Sequence, residues 1–267
     1  MKKYLTVFHT SWQNEFTYRL NFILWRVRNI LRILLTYFLW NGVFLQNNNI
    51  IAGFTKPQML TYVFLVLLVQ SIVLSAPSGD SIGGEIGSGE LSNYLVKPVG
   101  YLRYWFTRDL SSKLLNILFS AGELSILYLL LKPQVILPSN LITILLFILI
   151  LTLSSLIYFF LEVSTRFVAF WMPEFTWGFT FLTLVFIETL SGMIFPLSLF
   201  PPFLLFMVHL TPFPYLIYYP ISVFVGTISG ISALAVVAAM LFWLVVLYKL
   251  SKFIWSRGIR VYASEGR

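Results

Sequence analysis

A chain of 267 residues that is 58% hydrophobic, 18% aromatic and only 10% charged is too apolar to fold as an ordinary water-soluble domain. The net charge of +8 comes from basic residues beside long apolar runs, not from a groove with interleaved aromatics, so membrane lipids are a simpler partner than nucleic acid. The absence of cysteine excludes disulfides, thiolate metal sites and lipidated cysteines.

The first predicted element is an amphipathic helix at the N-terminus. Tyr4, Phe8, Trp12 and Phe16 recur every four residues among polar neighbours, which places their rings along one helical face. A helix of this kind within residues 1–28 is typical of a segment that lies in the cytoplasmic membrane interface. The alternative is that the segment is only the first part of a bent membrane-spanning helix.

Six apolar runs follow, and each is long enough to cross a bilayer. A hydrocarbon core about 30 Å thick needs roughly 20 apolar residues for each helical crossing. Helices are the spanning elements that fit, because the runs lack the alternating pattern of barrel strands. The predicted fold is therefore an all-α polytopic membrane protein with one transmembrane domain over residues 1–267. The predicted crossings are Ile30 to Leu45, Gln58 to Ala76, Ser111 to Leu131, Asn140 to Leu161, Phe175 to Phe195 and Gly230 to Lys249.

The positions of the basic residues predict the orientation of these helices. If the N-terminus is cytoplasmic, every Lys and Arg lies on the cytoplasmic side except Lys56 and Lys132. This is the distribution that the positive-inside rule requires, and it places both termini in the cytoplasm.

The apolar segment 196–229, before the last crossing, is predicted to form short broken or re-entrant helices on the external side. Repeated prolines would break a straight helix, and a seventh crossing would place the basic C-terminal residues outside. The prolines concerned are Pro201, Pro202, Pro212, Pro214 and Pro220.

The loop between the second and third crossings, residues 77–105, is rich in glycine and carries acidic residues. Its glycines suggest a phosphate cradle, but it lacks the Lys-Ser/Thr ending of a P-loop, and Glu85 and Glu90 would repel phosphate. No G-x-x-x-x-G-K-[ST] string occurs anywhere in the chain. We therefore expect no ATP site on this protein.

At this loop the chain resembles the permease subunits of ABC-2-type transporters, a family of six-span exporter subunits that work with a separate ATPase. The resemblance covers nearly the whole chain and rests on topology and order more than on any single residue. It is carried by the N-terminal helix, the Pro-rich external segment, and the succession Glu85-Ile86, Gly89-Glu90-Leu91, Tyr94-Leu95 and Lys97-Pro98.

The resemblance implies that the loop contains a coupling helix, which docks on the ATPase and relays its movement. It also implies alternating access, export of a hydrophobic or cationic small molecule as in multidrug efflux, and a place in the bacterial cytoplasmic membrane. The implied partners are an ABC ATPase that holds ATP and Mg, and a second permease, identical or related; no cofactor is expected on this chain. The implied coupling residues are Glu85, Gly89, Glu90, Leu91, Tyr94, Leu95 and, from a second cytoplasmic loop, Arg166.

Two acidic residues, Glu123 and Glu188, fall inside predicted crossings, where an ionised side chain costs roughly 2.5 to 3.5 kcal/mol. One interpretation is that both are protonated packing residues. The other is that they face a substrate path and attract cationic or amphipathic cargo, helped by aromatic rings. Glu162 differs, because Arg166 follows it by four residues and predicts an ion pair. The candidate rings are Tyr128, Tyr158, Trp177 and Phe181.

Enzymatic chemistry is not predicted for this chain. His9 and His209 lie on opposite sides of the predicted membrane, so they cannot share a metal ion. No Gly-x-Ser-x-Gly string supports a hydrolase. Two alternatives to an ATP-driven permease remain, which are an ATP-independent channel or secondary transporter and a membrane scaffold that transports nothing.

Overall fold

The structure is a computed structural model that describes residues 2–17, 19–46, 50–77, 82–138 and 140–262. Over these residues the backbone is helical or irregular, and β pairing is limited to one isolated bridge between Ile51 and Phe54. The predicted all-α membrane fold is confirmed at this level. The helices are α1 (Lys2–Thr17), α2 (Arg19–Gln46), α3 (Lys56–Val73), α4 (Ile82–Gly87), α5 (Ser92–Leu95), α6 (Tyr101–Leu131), α7 (Leu141–Arg166), α8 (Thr176–Leu190), α9 (Pro202–His209), α10 (Tyr218–Val225) and α11 (Ile231–Gly258).

Among the described residues, four helices are long and apolar enough to cross a membrane, which are α3, α6, α7 with the 3₁₀ turn that follows it, and α11. The other two predicted crossings correspond to α2 and α8. Helix α2 carries Arg26, Arg28 and Arg32, and α8 has only 15 residues. Six crossings therefore remain a prediction, whereas a bundle of membrane-spanning helices is established.

The N-terminal helix is a separate element that packs along α6. Its Ser11 and Glu15 are buried, and the hydroxyl of Ser111 donates to the carbonyl oxygen of Phe8 over 3.1 Å. Phe16, the last residue of the predicted aromatic face, is exposed. The helix thus buries polar positions against the protein, and its location in the membrane interface stays a prediction.

Helix α3 lies at the centre of the first hydrophobic core. Its residues are apolar on all sides, and a helix of that composition is stable in a bundle when neighbours cover its whole circumference. Helices α2, α6, α7 and α10 supply that cover. Met59, Leu67 and Val73 are among the side chains with no exposed surface.

The C-terminus of α3 is held by a lysine from α6. Lys113 donates to the carbonyl oxygens of Val73 and Ser75, each over 3.1 Å, and to Asp109 over 2.9 Å. The last carbonyls of a helix have no partner within it, and a cation there also interacts favourably with the helix dipole. This buried lysine fixes the position of α6 along the axis of α3.

Helix α8 ends at Leu190, five residues before the predicted end of the fifth crossing. Gly192 adopts a left-handed conformation with φ of +82°, which ends the helix. The hydroxyl of Tyr62 donates to the carbonyl oxygen of Gly192 over 2.6 Å, and the amide of Tyr218 donates to Ser191 over 2.9 Å. Contacts to α3 and α10, which periodicity does not reveal, therefore set this boundary.

The predicted broken segment before the last crossing consists of α9, α10 and two 3₁₀ turns. Its prolines begin helical turns instead of interrupting them, as at Pro202, the first residue of α9. Ile217 and Ile221 are fully buried, and α10 packs on α3 and α7. Helix α10 is therefore part of the bundle, whereas most side chains of α9 are exposed.

A second core lies at the other end of the bundle, where α4, the start of α6 and the ends of α7 and α11 meet. Gly258 allows a close approach there, since a Cβ atom at this position would lie 2.2 Å from a ring carbon of Phe170. The buried residues of this second core are Ile82, Ile86, Leu91, Tyr101, Trp105, Phe159, Val163, Phe167, Ala169 and Phe170.

The turn after α8 yields a stability prediction. Gly192→Ala should lower the thermal unfolding midpoint of the detergent-purified protein by several degrees, because its Cβ atom would lie 2.8 Å from the Tyr62 hydroxyl and the left-handed backbone costs about 1 to 2 kcal/mol more. Gly226→Ala is the control. Gly226 also has a positive φ, of +83°, but a Cβ atom added there would have no neighbouring atom within 4 Å. Equal shifts in both variants would contradict the packing argument.

Candidate functional site

The α4–α5 segment, residues 82–98, is a compact helix-turn-helix on the second core. The amide of Leu91 donates to the carbonyl oxygen of Glu85 over 2.9 Å, and Leu91 itself is fully buried. Gly89 makes the turn with φ of +81°. The segment therefore has a defined conformation before any partner is present.

Glu85 is the polar centre of this region. It is 2% exposed and accepts from the Tyr101 hydroxyl over 2.6 Å and from the Trp105 indole nitrogen over 3.1 Å, and the Arg108 guanidinium lies 4.0 Å away. Burial raises the pKa of the Glu85 carboxyl, and the hydrogen bonds from Tyr101 and Trp105 oppose that rise. A buried carboxyl with these partners ties α4 to the first turns of α6.

A residue from the end of the chain holds the turn of the same segment. The hydroxyl of Tyr262 donates to the carbonyl oxygen of Gly89 over 2.6 Å and accepts from the amide of Ser92 over 3.1 Å. Tyr262 follows α11 directly, and its ring contacts Phe170. The turn between α4 and α5 is thus linked to α11 through one side chain, a role that no sequence motif indicated.

The outer face of the segment is free to meet a partner. Val96 is 85% exposed and Leu95 is 47% exposed, and Glu90 is also on the surface. Tyr94 is half-buried, and its hydroxyl oxygen lies 3.3 Å from that of Tyr104. Burial raises the pKa of the Tyr94 hydroxyl. An apolar tip with acidic and basic neighbours is typical of a small protein-docking surface.

The residues implicated in coupling therefore fall into two groups. Glu90, Tyr94 and Leu95 have surface that a partner can contact. The side chains of Glu85 and Leu91, and the backbone at Gly89, lie inside and shape the segment. Arg166 is elsewhere, at the end of α7, where it forms the predicted ion pair with Glu162.

A cavity of about 450 Å³ lies between α1, α2, α3, α6, α7 and α8, at the end where α3 and α7 finish and α8 begins. This volume is within the usual range for small-molecule sites. Its wall mixes apolar and charged side chains. The charged ones are Glu15, Arg26, Arg32, Glu162, Arg166 and Glu188.

Arginines of α2 form ion pairs with both acids that the sequence places inside predicted crossings. Glu123 accepts from Arg26 over 3.0 Å, and Glu188 accepts from Arg28 over 3.0 Å and from Arg32 over 2.7 Å. In the sequence, these arginines indicated only the orientation of the chain. The sequence feature that indicates such ion pairs is that α2 contains several cations and no acid, so the partners of these cations must come from other helices.

The four candidate aromatic residues lie in two environments. Tyr158 lines the cavity, with the Lys113 ammonium 5.5 Å from its ring centroid. Tyr128, Trp177 and Phe181 lie on the outer surface of this chain, where Trp177 and Phe181 stack at 5.4 Å. Glu188 lines the cavity, whereas Glu123 does not line it and pairs with Arg26, which does.

Within the described ranges, no group of three or more His, Asp or Glu residues is arranged to hold a metal ion. The features that the geometry offers are therefore a cavity with charged walls and, beside it, an exposed helical turn anchored on a buried core. Binding and mechanical movement are the functions that such features support.

Comparison with known proteins places the chain in a family. No curated protein matches it. The family described as ABC-2 family transporter protein matches residues 30–266, which include the α4–α5 segment, both cores and every helix that forms the cavity walls except α1 and the first part of α2. Members of this family are generally non-catalytic membrane permeases that normally work with an ABC ATPase. Since the match covers most of the sequence, this chain belongs to the ABC-2 family of membrane transporter proteins.

Proposed function

We propose that this chain is the membrane-spanning subunit of an ATP-driven exporter, and that the α4–α5 segment is its coupling helix. The observation that carries the proposal is the continuous buried contact from this segment to the helices that surround the cavity. The family supports a permease role, and the absence of a P-loop string requires that ATP is hydrolysed by another subunit.

The contacts suggest how force would travel from an ATPase to the cavity. Movement of α5 would act on α6 through Glu85 and its partners Tyr101 and Trp105, on α7 through Phe167, and on α11 through Tyr262. Close-packed interiors transmit displacement because they have few voids to absorb it. Helices α6 and α7 both contribute to the cavity wall, so a push on α5 would change its shape.

The full transporter would contain two permeases over two ATPase copies. Helices α2 and α8 have large exposed apolar faces, which in the assembly would contact lipid or a second permease, identical or related. Positively charged residues at the end of the bundle that holds the second core fit anionic headgroups on the cytoplasmic side. With this orientation both termini would lie in the cytoplasm, and the proposed location of the protein is the bacterial cytoplasmic membrane.

The cargo proposed is a hydrophobic or cationic small molecule. Phe22, Leu184 and Ile187 give the cavity an apolar surface, and Glu188 offers a carboxylate. A cation would have to share Glu188 with Arg28 and Arg32. The charged residues of the cavity wall would therefore affect which cargo binds. Apolar contacts would provide much of the binding free energy.

The docking face can be tested with Val96→Asp. A carboxylate at this 85% exposed tip should weaken recovery of the co-purifying ATP-binding subunit by at least about tenfold, because the charge would be buried in the interface. The measurement is quantitative mass spectrometry of the complex purified from the membrane, with the exposed Lys252→Asp on α11 as control. If the unmodified chain brings down no ATP-binding subunit at all, the proposal fails and an ATP-independent channel or transporter is favoured.

The relay through the end of the chain can be tested with Tyr262→Phe. Loss of the hydroxyl removes both hydrogen bonds to the turn but keeps the ring against Phe170, so the complex should still assemble. Efflux per ATP hydrolysed should fall several-fold, because the turn is no longer fixed to α11. Tyr248→Phe on the exposed side of α11 serves as control. An unchanged ratio of efflux to ATP hydrolysis in Tyr262→Phe would mean that the hydrogen bonds of Tyr262 do not transmit movement.

The role of the wall charge can be tested with Glu188→Gln. Removal of the carboxylate leaves Arg28 and Arg32 unneutralised, so efflux of a lipophilic cation should decrease while that of an uncharged hydrophobic molecule should change little. Glu123→Gln should act in the same direction, since it frees Arg26 at the wall. Unchanged cation efflux in both variants would remove cationic cargo from the proposal.

A further inference from the structure

Four buried polar atoms, in residues around the cavity, have no hydrogen-bond partner in the part of the protein that the structure describes. The Nε atoms of Arg26 and Arg166, the amide nitrogen of Gln70 and the hydroxyl oxygen of Ser71 are buried and make no hydrogen bond. All four residues line the cavity. Buried polar groups in proteins are nearly always satisfied, so four exceptions around one space indicate that something else completes them.

The chemistry of these atoms restricts what the missing partner is. Three of them are nitrogen atoms that can only donate, and the hydroxyl of Ser71 can donate as well. The partner must therefore present acceptor oxygens. The orphaned nitrogen of Arg26 is on a guanidinium whose other two nitrogens already donate to Glu123 and to the carbonyl oxygen of Asn116, each over 3.0 Å.

The net charge of the wall gives a second restriction. Three arginines and three glutamates line the cavity, so the formal charges cancel. A ligand with a single uncompensated charge would leave that charge buried without a counter-charge, which is costly in a partly desolvated space. A headgroup that carries both signs avoids this cost, because its anionic part meets donors and its cationic part meets carboxylates and aromatic faces.

We propose that the cavity binds an amphiphile with a zwitterionic headgroup, whose oxyanion is held by Arg26, Gln70 and Ser71. The cationic end of the headgroup lies toward Glu188, and the hydrocarbon part contacts Phe22, Leu184 and their apolar neighbours. This inference rests on the proposed transport function and specifies its cargo class. Both a membrane phospholipid and a soluble single-chain amphiphile present this headgroup chemistry.

Gln70 and Ser71 provide a test in which binding and stability respond in opposite directions. In Gln70→Leu and Ser71→Ala an unsatisfied buried polar group is removed, so the unliganded protein should be as stable as the original or more so. Binding of the zwitterion should nevertheless weaken by about threefold to tenfold for each lost hydrogen bond. Ser191→Ala is the matched control, because its hydroxyl is also buried and unpartnered but does not line the cavity.

The experiment uses the full chain in maltoside detergent and water-soluble hexyl probes, with dissociation constants measured by titration calorimetry. The probes are hexylphosphocholine, hexyltrimethylammonium and hexyl phosphate. The zwitterion should bind at least about tenfold more tightly than either singly charged probe. Dihexanoylphosphatidylcholine is the fourth probe, and tighter binding than hexylphosphocholine would identify a membrane lipid as the source, while the reverse would identify a soluble amphiphile.

The proposal is overturned if the cationic or anionic probe binds as tightly as the zwitterion, or if Gln70→Leu and Ser71→Ala leave zwitterion binding unchanged. These measurements involve no ATPase. A negative result therefore removes the cargo assignment without affecting the coupling proposal. The absence of an ATP-binding subunit in the purified complex would remove the coupling proposal and would leave the binding result unaffected.

Discussion

The arrangement of the bundle depends on the need to neutralise the arginines of α2. A cation among apolar side chains is costly unless a carboxylate compensates it, and α2 contains no acid of its own. Arg26 therefore draws in Glu123 of α6, and Arg28 and Arg32 draw in Glu188 of α8. Three helices that are distant in sequence are held around one cavity by these pairs.

Polar residues have a corresponding role where the bundle meets the α4–α5 segment. Lys113 fixes α6 to the end of α3, and Glu85 fixes α4 to α6. The partners of Glu85 belong to the second core, in which aromatic rings from α6, α7 and the end of α11 pack together. The segment that ends in the exposed Val96 is therefore packed on the same helices, α6 and α7, that contribute to the cavity wall. A loosely attached loop would absorb a push without passing it on.

Much of the fold was predictable because apolar length and proline position act locally. The apolar runs predicted for α3, α6, α7 and α11 lie within those helices, apart from a few residues at their ends. The proline-rich segment was predicted to be broken, and it consists of short helices and turns. The errors lie where a distant contact decides an end. Tyr62 and Tyr218 end α8 early, and contacts in the second core extend α6 and α11 beyond their apolar runs.

The sequence by itself determined the class of molecule, the four long apolar helices, the family and the glycine-rich loop between α3 and α6, because these follow from hydrophobic length, charge distribution and residue order along the chain. Only the tertiary structure decided which residues of that loop are inside, that Tyr262 clamps its turn, and that Glu123 and Glu188 are paired with arginines. Those facts are distances between atoms of residues up to 173 positions apart. One-dimensional periodicity carries no information on such distances, since packing of the whole bundle sets them.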